Sequence, residues 1–175
     1  MDPNVPLVAG CMMCAMEFRT ELPYDASPDE VYAMLADPAF REQVAQAQDV
    51  VSVDVRLTPS DDGFELVNDQ VQNTKDLPAI AQKIAGDTTQ AVIKEEWQSR
   101  TSGSISITAP GKPSSASGTI RLAPDGDGTV EIVELEVKVK VPLIGGKLEK
   151  LMADQIESGY RTEHTVGRAW LQDNK

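Results

Sequence analysis

The stretch Val137–His164, VKVKVPLIGGKLEKLMADQIESGYRTEH, joins two different periodicities. On its amino-terminal side Val133, Leu135, Val137, Val139 and Val141 alternate with Glu134, Glu136, Lys138 and Lys140, the period of a strand with one buried face. Beyond Pro142 and the Gly145-Gly146 pair, Leu148, Met152, Ile156, Gly159, Val166 and Trp170 fall on one stripe at about 100° per residue, the mark of an amphipathic helix. That helix is predicted from Gly146 to Leu171, about seven turns where about three are usual. A long strand feeding a long terminal helix calls for a sheet that covers the helix stripe.

Further upstream the chain supplies that sheet. Met16 to Tyr24 reads as a first strand. Ser27-Pro28-Asp29-Glu30 then combines a capping serine, a proline at the first helical position and a glutamate three residues after the cap. The helix it opens runs to about Ala36, and Asp37-Pro38 starts a second short one to Gln48. Val51, Val53, Val55 and Leu57 alternate with polar residues, and Asp61-Asp62-Gly63 turns the chain into a returning strand, Phe64 to Asn73, whose pattern leaves its inward face open. Leu77 to Ala85 reads as a short helix closed by Gly86 and placed to act as a lid. Strand faces follow at Ala91, Ile93 and Trp97, at Ile105 and Ile107, and at Ala116, Gly118, Ile120 and Leu122. Ile132 beside Val133 breaks the alternation of the last strand as a β-bulge would. The order is one strand, two short helices, a meander of about six strands with one helical insertion, and the long helix, an α+β antiparallel arrangement with helices on one face.

That order resembles the helix-grip fold of the START-like (SRPBCC) superfamily, which includes pollen-allergen-like lipid binders and polyketide cyclases. The opening YDASPDEVYAMLADPAF looks like that superfamily's first strand and bent helix pair. DLPAIAQKIAG followed by EEWQ, together with the Val137–His164 stretch, is similar to an actinobacterial START-like family of unknown function. The resemblance spans about Met16 to Leu171. It implies a sheet around the terminal helix and an apolar ligand held between them, and it supplies no catalytic set.

Composition narrows the partners. The net charge of -12 over 175 residues opposes binding to nucleic acid, and no run of about 18 apolar residues offers stable membrane insertion. Cys11 and Cys14 in LVAGCMMCAM, with His164 far away, fall short of a structural metal set, so neither metal nor cofactor is expected. Val8-Ala9-Gly10-Cys11 matches a lipoprotein processing pattern locally, but MDPNVPL before it lacks the basic and apolar regions such a signal needs. Residues 1–15 are therefore read as a disordered leader or an over-called start, 16–172 as the domain and 173–175 as a tail. Cysteine usage points to the cytoplasm.

Ile93, Trp97, Ile107, Ile120, Leu135 and Val137 are expected to line the sheet side of the cavity, and Met152, Ile156 and Gly159 the helix side. Gly159 is a weak helix former in mid-helix, which implies either close backbone contact or space left for a ligand. Glu163 projects at about 60° on the wheel, between Leu148 and Ile156. Strand parity likewise carries Glu95 inward. A buried carboxylate must be paired, hydrated or protonated, and two in one cavity would raise at least one pKa, the condition for a general acid or base. Solvation at a cavity mouth, or pairing with Arg56 or Arg161, is the ordinary alternative. Three functions follow: a carrier or sensor of a hydrophobic, lipid-like or polyketide-like molecule; a cyclase- or dehydratase-like enzyme using Glu95 or Glu163; and an interaction protein whose cavity is filled by its own side chains.

Overall fold

The computed structural model describes residues 15–175, so the leader reading and the Cys11–Cys14 pair lie outside the described residues. The chain runs β1 (Met16–Tyr24), α1 (Pro28–Leu35), α2 (Pro38–Ala47), β2 (Ser52–Pro59), β3 (Phe64–Asn73), α3 (Ala79–Ala85), β4 (Thr88–Trp97), β5 (Ser102–Thr108), β6 (Ser114–Asp125), β7 (Gly128–Val139) and α4 (Gly145–Asp173). The seven strands form one antiparallel sheet in the order β1-β7-β6-β5-β4-β3-β2, so the first strand closes against the last and every other pair is consecutive in sequence. α4 packs on β1 and β7, and α2 bridges α4 and β2.

Local chemistry accounts for the helix starts. The Ser27 hydroxyl accepts from the Glu30 amide while the Glu30 carboxylate accepts from the Ser27 amide, a complete capping box. The Asp37 carboxylate caps α2 through the Ala39 amide. Phe40, Val31 and Leu35 are fully buried and bind the helical pair to the main core, whose sheet side includes Val133 and Val137.

Two expectations are corrected. β7 contains no bulge at Ile132: its register to β1 and β6 runs without interruption, with Ile132 opposite Glu21 on one side and Arg121 on the other. The odd-numbered residues therefore face inward along the whole strand, and Glu131 joins Val133, Leu135 and Val137 on the buried face. The second correction concerns α4, whose deeply buried residues are Leu148, Ala153, Tyr160, Glu163 and Gly167. This face is turned by about 50° from the predicted stripe. The turn follows from contacts with β1 and α1: Tyr160 stacks on Phe18 with ring centroids 6.5 Å apart, and Gly167 lies against Tyr24 and Met34. Met152, Ile156 and Gly159 are left only half-buried.

The facing of β3 is now defined. Phe64 and Leu66 enter the core, and the same parity carries Asn68, Gln70 and Gln72 inward behind them. The inner face of this strand changes from apolar to polar halfway along.

Candidate functional site

Between the sheet and α4 lies a cavity of about 590 Å³. Ile93 on β4, Ile107 on β5, and Met152 and Ile156 on α4 give it apolar walls. α3 and the turn between β5 and β6 border one end, where Ala81 packs with Val139 and Leu148 and the Lys112 ammonium donates to the Ile84 carbonyl at 3.1 Å. Gly159 also borders the cavity. Its carbonyl accepts from the Gln48 amide at 3.1 Å, and a Cβ there would lie 3.3 Å from the same nitrogen, so its nearest neighbour is a side chain and not another backbone.

The opposite end is closed by ionisable groups. Arg41 on α2 is 4% exposed, and its guanidinium donates twice to Glu95 on β4, at 3.1 and 2.8 Å, while its Nε donates to the Leu35 carbonyl at 2.8 Å. The Trp97 indole adds a donor to Glu95 at 2.9 Å. Glu163 is the looser partner, 3.7 Å from Arg41, and its Oε1 has no hydrogen-bond partner among the described residues. Behind it Glu131 is fully buried, and among the described residues neither its carboxylate oxygens nor the sealed Tyr24 hydroxyl has a hydrogen-bond partner.

One guanidinium thus faces three carboxyl groups. Glu95 takes its hydrogen bonds. Burial, with the charge of Glu163 nearby, pushes the Glu131 carboxyl well above the usual carboxylate range despite the pull of Arg41. Burial likewise raises Glu163 to about 7; Arg41 opposes the rise and Glu95 adds to it. Burial thus favours the neutral form of Glu131, and Glu163 titrates where small changes in its surroundings decide its charge.

Of the residues expected at the cavity, the structure brings together Ile93, Ile107, Met152, Ile156, Gly159 and Glu163, with Glu95 at the same wall. It separates four others. Ile120, Leu135 and Val137 are buried in the main core, and Trp97 stacks on Phe64 at 5.6 Å beneath Tyr32. These four fill space under α1 and α4 where helices and sheet touch directly, beyond the cavity. Neither arginine named as a partner serves: Arg56 pairs with Asp54 and Arg161 with Glu157, both on the surface. His164 is half-buried against β1, apart from the cavity lining, with its Nε2 2.6 Å from the Pro23 carbonyl oxygen.

Sequence reasoning missed Arg41, Glu131 and the amides of β3. Arg41 follows Phe40 and precedes Val44 by three positions and Gln48 by seven, so a helical wheel of α2 puts it on the inward stripe. Glu131 is reached by carrying the β7 alternation back two residues without a bulge.

An antiparallel sheet with two short helices after the first strand and a long terminal helix over one face, enclosing a cavity, is the helix-grip fold. Residues 19–171 match the family described as "Protein of unknown function (DUF2505)", and the chain belongs to that family. An uncharacterised protein of Mycobacterium tuberculosis is 23% identical over 169 residues, covering 90% of this chain and 97% of the relative. Among solved structures, a protein of Thermus thermophilus superposes with TM-score 0.62 at 22% identity, covering 88% of this chain and 98% of that one. The Zhui aromatase/cyclase of a Streptomyces species gives TM-score 0.60 at 11% identity over 91% and 94% of the two chains. A START superfamily protein of Mycobacterium smegmatis gives 0.56 at 15% identity over 91% and 99%. Among the described residues no helix is long and apolar enough to cross a membrane.

Proposed function

We propose that this protein binds a hydrophobic small molecule in the cavity between the sheet and α4, as a cytoplasmic carrier or sensor. The observation that carries the reading is the cavity itself: about 590 Å³ with apolar walls from β4, β5 and α4, within the size range of small-molecule pockets. An interaction protein with a self-filled interior would have no use for such a space, because protein interiors close to crystal-like density where nothing needs admission. The test is native mass spectrometry of protein purified from a mycobacterial host, beside its denatured mass. An excess mass that vanishes on denaturation is expected, and Ile156→Trp, which extends an indole into the cavity, should abolish it. A bare mass in the native protein, together with no uptake of the apolar fluorophore N-phenylnaphthylamine, would sink the proposal.

One observation favours a second reading, acid–base chemistry on the bound molecule. Glu163 is a cavity-wall carboxyl with its pKa raised to about 7, matched to proton transfer at neutral pH. Glu163→Gln would then retain the ligand and lose turnover; unchanged turnover would exclude it.

A further inference from the structure

The inner face of β3 carries polar groups that the fold does not use. Gln70 is 2% exposed, and its Oε1 has no hydrogen-bond partner among the described residues. The Asn68 Oδ1 is sealed and unpartnered in the same way. Their neighbours on the same face cannot satisfy them: Val53 and Ala91 flank Gln70 across the adjoining strands, and Val55 and Ile93 flank Asn68. Both amides border the cavity. A buried amide oxygen without a partner weakens a fold, and an apolar residue of similar shape would stabilise this position, so its presence asks for a partner that comes from outside the chain.

The charge at the closed end limits what that partner is. Glu95 and Glu163 line that end, and its one cation, Arg41, is already bonded to Glu95 and the Leu35 carbonyl; the lysines that border the cavity, Lys75 and Lys112, stand at the α3 end. An incoming carboxylate or phosphate would find no free cation at that end and would oppose the ionisation of Glu163 beside it. An amide, by contrast, offers a neutral acceptor and a neutral donor.

We infer that Asn68 and Gln70 are ligand-recognition groups and that the ligand is an uncharged hydrophobe bearing hydroxyl or carbonyl groups along one edge. That edge lies on β3, and the apolar body lies against Ile93, Ile107, Met152 and Ile156. The assignment rests on the small-molecule binding proposed above and narrows its ligand class.

The test is displacement of N-phenylnaphthylamine from the full chain by three compounds of one skeleton: trans-stilbene, its hydroxylated form resveratrol, and stilbene carboxylate. Resveratrol is expected to compete at concentrations at least about tenfold below the carboxylate, the effect of roughly two hydrogen bonds made against none. Asn68→Leu combined with Gln70→Leu should weaken resveratrol by about tenfold and leave trans-stilbene unchanged or tighter. The melting temperature supplies a readout that a structural role would move in the other direction. Gln70→Leu should melt no lower than the native protein, whereas a Gln70 needed for the fold would make it melt lower. If the double variant fails to fold, Asn68→Ala at the half-buried position carries the same comparison with a loss of about fivefold. Fluorophore uptake with resveratrol no better than the carboxylate, or with resveratrol unaffected by the variants, overturns this inference and leaves cavity binding standing. No uptake and no competition at all overturns both.

Discussion

Replacing Glu163 by Gln should change how stability depends on pH, and the size of the change follows from the site. The Glu163 carboxyl is raised from 4.5 to about 7, first by burial and then by the charge of Glu95, against the pull of Arg41. A raised carboxyl binds its proton more tightly in the folded state than in the unfolded one. Its stabilising contribution is therefore complete below the unfolded value and is lost as pH climbs through the folded value. A rise of this size corresponds to about 3 kcal/mol. Gln has the shape of the protonated acid and cannot ionise. Urea unfolding of both proteins, followed by circular dichroism from about pH 4.5 to about pH 8, should give nearly equal stabilities at the acid end and an advantage of about 3 kcal/mol for Glu163→Gln at the other. The groups facing Glu163 are Arg41 from α2, Glu95 from β4, Glu131 from β7, Tyr24 from β1 and Tyr160 on its own helix. Arg41 and both tyrosines keep one charge state across this range, because each is held above its ordinary value. Glu131 stays in both proteins, and Glu163→Gln frees it of the Glu163 charge that helps raise it, which adds to the variant's advantage at the upper end. A difference between the two proteins that is the same at both ends would refute the reasoning, since it would mean that Glu163 is solvated enough to ionise at an ordinary pH.

Two further substitutions probe the same region. Arg41→Met leaves Glu95 with only the Trp97 indole and should destabilise by about 3–5 kcal/mol in denaturant unfolding, while the double variant Arg41→Met/Glu95→Met should recover most of the loss; a single variant within about 1 kcal/mol of the native protein would contradict a desolvated pair. At Gly167 a Cβ would approach the Tyr24 ring to 2.9 Å and the Met34 methyl to 3.2 Å, so Gly167→Ala should cost about 1–3 kcal/mol by overpacking. Gly159→Ala meets only the flexible Gln48 amide and should be neutral or stabilising by up to about 1 kcal/mol through helix propensity, which makes the order of the two melting temperatures the decisive measurement.

Much of this architecture was legible because its elements obey one period each. The β7 alternation, the Ser27–Glu30 capping box and the long stripe of α4 all state their conformation locally, and the order of elements then leaves little choice of fold. Glu95 and Glu163 were legible for the same reason, since parity and helical phase carry a charged side chain inward as surely as an apolar one. What stayed hidden was the reason they are tolerated there. Arg41 belongs to a helix whose sequence, PAFREQVAQA, shows one small apolar stripe; the wheel sets Arg41 on that stripe, but its partner Glu95 lies 54 residues away and is met only when α2 packs between α4 and β2. The orientation of α4 was displaced because the wheel weights every apolar residue equally. The chain instead buries Ala153, Tyr160 and Gly167 most deeply, where small residues and one ring admit close contact with β1 and α1.

β3 resisted reading for a more informative reason. A strand over a solid core alternates cleanly because every inward position is dry and close-packed. In β3 the inward set is Phe64, Leu66, Asn68, Gln70 and Gln72, and the outward set includes Val67 and Val71, so the two faces have similar polarity and no parity stands out. The apolar half of the inward set lies over the core and the polar half borders the cavity. The same loss of pattern occurs at the cavity end of α4, where Gln155 and Gly159 interrupt the apolar stripe that Leu148 begins. Periodicity therefore fails at the places where a side chain faces neither core nor solvent. In a fold otherwise so regular, that half-strand, with the unpartnered oxygens of Asn68 and Gln70 beside the walls made by Ile93 and Ile107, is where the proposed ligand would be recognised.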